Sequence, residues 1–79
     1  MVRIRESFPD NESVAIMVDG VLDQEALPIL DELCARHLKS DKKVSLHLSG
    51  LQRISREGME YLRVIEERVV LVNPPEFMK

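Results

Sequence analysis

Two apolar segments of period two and a third, continuous apolar run, each separated from the next by one stretch of helical periodicity, constrain this chain more than any other feature. Val14, Ile16 and Val18 alternate with Ser13, Ala15, Met17 and Asp19. Val44, Leu46 and Leu48 alternate with Ser45, His47 and Ser49, and Val69 to Val72 makes a shorter third segment. Such patterns predict strands with one buried face. Between the first two, Leu27, Leu30, Leu33, Cys34 and Leu38 recur at helical spacing; between the second and third, Met59, Leu62 and Ile65 do so, flanked by Tyr61. Strands joined by single helices pair in parallel through right-handed crossovers.

A further strand precedes these. Val2 and Ile4, with Phe8 as a third inward candidate, alternate with Arg3, Arg5 and Ser7, and Pro9-Asp10-Asn11-Glu12 is turn chemistry. The first two strands therefore read as an antiparallel hairpin that runs to Asp19 and is closed by Gly20. Asp23 is the candidate N-cap of a helix to about Lys39, with Pro28 near its start where proline costs least. Leu51 to Ser55 reads as a lead into a second helix, about Arg56 to Glu67, and Asn73-Pro74-Pro75 stops the last strand. The predicted class is α/β: two layers, a mixed four-stranded sheet built as a β-hairpin then βαβαβ, and both helices on one face. The other face would carry Arg3, Arg5, Ser45, His47 and Ser49.

At 79 residues the chain reads as one domain, 1–79, with a net stability on the order of 5 kcal/mol. Apolar residues at 44% and charged residues at 32% suit a globular protein, and the apolar run Val69 to Val72 is far short of a membrane span. The start MVRIRESF has no apolar h-region after a basic segment, and Cys34 is the single cysteine, so neither a secretory signal nor an internal disulfide is expected. The predicted compartment is the cytoplasm. A net charge of −3 with scattered basic residues argues against nucleic acid as a partner.

The candidate site lies in Leu48 to Leu62, LSGLQRISREGMEYL, which reads as a strand end, a tight loop and the opening turns of a helix. Ser49, Ser55, Arg56 and Glu57 surround two glycines there, with neither His nor Cys to activate a hydroxyl. This is the composition of a contact surface, and no catalytic residue is assigned. Glycines stand only at 20, 50 and 58, so neither a dinucleotide fingerprint nor a P-loop is present and no cofactor is expected. Cys34, His37 and His47 could be imagined as zinc ligands. Cys34, however, fits the apolar stripe, His37 sits near a helix C-terminus where a cation is favoured, and paired-ligand spacing is lacking, so no metal is assigned. Glu57, Glu60, Glu66 and Glu67 read as a solvated helix face.

GVLDQEALPIL after an apolar strand, then VSLHLSGLQRISREGMEYL, then VVLVNPP, together resemble the STAS domain of sulphate transporters and anti-sigma-factor antagonists, over residues 13 to 74. In that family a strand ends in Asp-Leu-Ser-Gly, and Asp-Ser-Ser-Gly opens the next helix. Leu48-Ser49-Gly50 matches the first motif, with His47 in place of Asp; Ser55, Arg56, Glu57 and Gly58 occupy the second. The family's phosphoacceptor serine is therefore replaced by Arg56. Phosphate there would add about −1.5 to −2 charge beside a helix N-terminus, which is how family members release or capture a kinase-like partner. The resemblance thus implies a member without that switch. Ser55 reads first as an N-cap and second as a modifiable hydroxyl. Family members also commonly continue into a further helix after the last strand, so the resemblance implies a short, degenerate domain lacking it. Phe77 and Met78, with Met17 and Ala15 on the sheet, would then close the gap in a homodimer or against another protein; the alternative is a frayed tail.

Two functional readings follow. In the first, the resemblance and the residues imply a non-enzymatic interaction module docking through residues 49–66, with Ser49, Ser55, Arg56, Glu57, Met59 and Arg63 as the partner-binding set, a small apolar patch with an arginine rim. The partner would be an anti-sigma-like kinase, a phosphorylation-independent signalling complex, or the cytoplasmic side of a transporter such as the lipid-trafficking systems with a small STAS subunit. In the second, a small anion or nucleotide binds at the loop before the second helix, or on the polar sheet face with Arg3, Arg5, His47 and Ser49.

Overall fold

The computed structural model describes residues 2–74. Its elements are β1 (Val2–Asp10), β2 (Ser13–Leu22), α1 (Leu27–Lys39), β3 (Lys43–His47), β4 (Leu51–Ile54), α2 (Arg56–Ile65) and β5 (Val70–Val72). β1 and β2 form the antiparallel hairpin, with Ile4 opposite Val18 and Glu6 opposite Ile16. Its turn is held by Asp10, whose Oδ1 accepts the Glu12 N–H at 2.8 Å. That bond, helped by the Ser13 hydroxyl, holds the Asp10 carboxyl below its usual range. β2 then pairs in parallel with β3, and β3 with β5, so the order is β1-β2-β3-β5. The expected two-layer α/β class with a mixed sheet is what the chain adopts.

The sheet has five strands, not four. β2 does not end at Asp19: it passes through Gly20, at φ 89°, and continues to the fully buried Leu22. The added length leaves an edge of β2 open beyond β3, and Leu51–Ile54, expected as a lead into the helix, fills it as β4 with Gly20 beside Leu51 and Leu22 beside Ile54. Backbone amides left unpaired there would carry the cost of a buried orphan donor. Gly20 N–H instead reaches Gly50 O at 3.0 Å, and Ser55 N–H reaches Leu22 O at 2.9 Å.

Asp23 caps a turn ahead of α1, not the helix itself: its Oδ1 accepts the N–H groups of Glu25 and Ala26 at 3.1 and 3.2 Å, and α1 begins at Leu27 with Pro28 in its first turn. α2 stops at Ile65, two residues short of the expected Glu67, and β5 starts at Val70. Phe77 and Met78 lie outside the described residues.

The core sits between the helices and one sheet face. Val14, Ile16, Val18 and Leu22 of β2 meet Val44 and Leu46 of β3, Leu30 and Cys34 of α1, and Leu62 and Ile65 of α2. Met59, expected in this stripe, is only half-buried and stands outside the cluster; buried Gly58 takes the place beside Leu62. Phe8 is also corrected outward, being 57% exposed, because the hairpin register shifts between Ser7 and Asp10. It lays an edge against the His37 ring, with centroids 5.9 Å apart.

His37 is the one buried polar residue among those described, at 8% exposure. Glu6 follows Ile4 on the helix-facing side of β1, and His37 Nε2–H donates to its Oε2 at 2.5 Å, tying the edge strand to the last turn of α1. A carboxylate can only accept, so Nε2 carries the proton. Glu6→Ala, which strands that N–H, is expected to lower stability by about 1 kcal/mol, and Glu6→Gln by less because its amide oxygen still accepts. Chemical denaturation of the two variants side by side checks the order.

Candidate functional site

α2 presents the candidate residues, and helical geometry divides it into three flanks. Gly58, Leu62 and Ile65 face the core. Arg56, Met59 and Arg63 share a second flank at spacings of three and four, and Glu57, Tyr61 and Val64 share a third, turned toward α1, where Arg68, in the turn beyond the helix, lines the same groove. On the second flank Arg56 and Arg63 are exposed on either side of half-buried Met59, which is the apolar spot with an arginine rim expected from the sequence.

Ser55 opens the helix. Its backbone is extended and its Oγ accepts the Gly58 N–H at 3.0 Å, so the hydroxyl acts as an N-cap. Ser55→Ala is expected to cost about 1 kcal/mol without moving the strands, as a lower denaturation midpoint at unchanged slope. Arg56 follows as the first helical residue, with its side chain in solvent.

Glycine is required twice at this end of the molecule. A Cβ on Gly58 would stand 2.9 Å from the Leu22 carbonyl oxygen and 2.9 Å from Ile54 Cγ1. A Cβ on Gly50 would fall 1.9 Å from Asp19 Oδ1. Asp19 therefore lies across the β3–β4 loop, and its other oxygen takes Arg5 Nη2 at 2.9 Å. Sequence reasoning placed Asp19 on the outer face and gave it no role; its signal was Gly50, three residues beyond the end of β3.

The site does not gather all six expected residues into one spot. Arg56, Met59 and Arg63 line one flank of α2 from its first turn to its last, Ser55 caps its N-terminus and Glu57 stands on the flank turned toward α1, whereas exposed Ser49 lies in the loop before β4. Four strand residues intervene, which at about 3.3 Å each separate Ser49 from Ser55 by on the order of 13 Å. The segment read as one tight loop is thus two corners joined by a strand.

Several other polar and titratable groups are held by contacts within the fold. Arg5 pairs with Asp19 on the outer sheet face, where Ser45 Oγ lies 3.2 Å from His47 Nε2 and 3.4 Å from the Val14 carbonyl. Cys34 and His37 are on the helix side of the sheet and His47 on the other, so the three do not converge. Cys34 is fully buried, and burial pushes its thiol pKa up. Tyr61 Oη donates to Asp31 Oδ1 at 3.3 Å across the two helices, and burial, with Cys34 and Asp31 beside it, pushes its pKa far up. Ala15, expected to add apolar surface to the outer face, is 8% exposed. No helix among the described residues is long and apolar enough to cross a membrane.

Solved structures share this arrangement. The anti-sigma factor antagonist SpoIIAA in its unphosphorylated form superposes with a TM-score of 0.68 at 19% identity, over 96% of this chain and 77% of its own. A protein of the DUF3478 family from Shewanella loihica PV-4, described as having a SpoIIAA-like fold, matches at 0.61 and 15% identity, over 98% of this chain and 71% of its own. The match to Mglu, at 0.67 and 19% identity, spans 91% of this chain but 19% of that longer one. No model of a known protein family matches the sequence, and no curated protein matches it. The fold is SpoIIAA-like, that of the STAS domain.

Proposed function

We propose that this protein is a non-enzymatic interaction module that docks a protein partner through the loop and helix at about residues 49–66, without a phosphorylation switch at position 56. The observation that carries this reading is the pair Ser55–Arg56: in a SpoIIAA-like fold, the hydroxyl at the mouth of α2 is committed to a cap and the next side chain is a solvent-exposed guanidinium. Arginine at a contact rim forms bidentate bonds to carboxylates, so the partner's facing surface is acidic around an apolar contact for Met59. An anti-sigma-like kinase or a transporter component in the cytoplasm is the kind of protein that fits. Glu57 and Arg63 tune the rim, and Ser49 belongs to the surface only if the partner spans β4.

For the competing anion-binding reading, the sheet-face side chains Arg5 and His47 already meet Asp19 and Ser45, which leaves Arg3, Ser49 and the loop before α2 as its remaining donors.

A photo-crosslinker at Met59, introduced in the protein's own cells, identifies the partner, and the affinity of Arg56→Glu for it is then measured. The expected loss is about 2 kcal/mol or more, with the melting temperature unchanged. Affinity equal to wild type, or phosphate on Ser49 or Ser55 in protein from those cells, would overturn the proposal.

A further inference from the structure

The third flank of α2 points to a second surface. Between α1 and α2 runs an apolar groove of about 490 Å³, walled by Leu27, Pro28, Tyr61 and Val64. Val64 is 71% exposed, the highest value among the large apolar residues described. Arg68 closes this groove and also lines the adjoining concavity of about 520 Å³ along Glu32, Arg36 and Lys39, so the two form one strip. Because both helices lie in crossovers of parallel strands, they run side by side in the same direction.

Charge is distributed unevenly along that strip. Asp31 and Glu57 rim the end nearer the helix N-termini, whereas Arg36, Lys39 and Arg68, against Glu32, occupy the other. Among the described residues, none of these six groups makes an ion pair within the chain. A partner of uniform charge would match one end and clash with the other. A second copy turned by a two-fold axis across the middle of the strip matches both, because each acidic end then meets a basic one, and the two Val64 side chains meet near the axis.

We infer that the α1–α2 strip is a self-association surface that forms a two-fold dimer of this chain. The Arg56–Met59–Arg63 flank stays free in such a dimer and Glu57 alone is common to both surfaces, so self-association, read on Val64 and Arg68, can fail or succeed separately from the docking proposal. For a strip confined to two helices of each copy, dissociation in the micromolar range is expected.

Sedimentation equilibrium of the full chain, from about 1 to 500 µM, tests this. Wild type is expected to pass from monomer to dimer in that range, and Val64→Glu to remain monomeric with an unchanged circular dichroism spectrum. Arg68→Glu should weaken the dimer about tenfold, and adding Glu57→Arg in the same chain should restore it. A wild-type protein that stays monomeric throughout overturns the inference and leaves the groove to the chain's own end or to another protein. A dimer indifferent to Val64→Glu overturns it as well, by moving the contact to another face.

Discussion

Gly58→Val is expected to abolish the cooperative thermal transition of this protein. The α-carbon of Gly58 faces the extension of β2, and even the first added carbon would sit 2.9 Å from the Leu22 carbonyl oxygen, a backbone atom that cannot swing aside. That oxygen also accepts the Ser55 N–H at 2.9 Å, so pushing it away strains the bond that seats the helix cap. Alanine recovers about 1 kcal/mol of helix propensity against an overpacking cost of about 1–3 kcal/mol, so Gly58→Ala should fold with a lowered midpoint. Valine adds two methyls to the same clash and loses rotamer freedom in a helix. Against a stability on the order of 5 kcal/mol, that difference separates a weakened domain from an unfolded one. Thermal melts of the two variants by circular dichroism decide it. A valine variant melting within a few degrees of wild type would mean that α2 does not rest on Leu22 as described.

The second large effect is expected at Leu62. It is fully buried and, with Ile65, fixes α2 onto Val18, Leu22 and Leu46 of the sheet. Leu62→Ala should cost about 2–5 kcal/mol, depending on how far the cavity collapses, most or all of what a domain of this size holds in reserve. Urea denaturation at low temperature measures it. This variant also serves as a control on function. Leu62→Ala weakens docking by melting the helix that carries the surface, whereas Arg56→Glu weakens it with the fold intact, so loss of partner affinity tracks stability in the first and not in the second. Equal stability of Leu62→Ala and wild type would place α2 off the sheet.

Much of this architecture was legible in the chain. Period-two alternation at Val14–Val18 and Val44–Leu48 marked the buried faces of β2 and β3, and single helical stretches between strands implied parallel crossovers. Ser55 announced its cap because serine before a Glu-Gly pair at a helix start has one strongly favoured hydrogen bond. These features rest on local periodicity and local hydrogen bonding, which a short window of residues contains in full.

What the window could not contain is who covers whom. β4 exists because β2 is twice as long as β3, a comparison between elements far apart in the chain, and Leu51–Ile54 is too short to declare itself by pattern. Glu6 and His37 are 31 residues apart, and neither shows in sequence that the carboxylate will meet the buried ring's polar hydrogen. Asp19 lies across Gly50 for the same reason: a missing side chain creates space only for a neighbour that the fold brings there. The strip between α1 and α2 follows suit, since its charges belong to segments far apart in the sequence and become an acidic and a basic end only when two helices lie side by side. Periodicity and capping, being short-range, were determined by the sequence itself; register, burial of polar groups and surface complementarity depend on contacts between distant residues, and only the tertiary structure decides them.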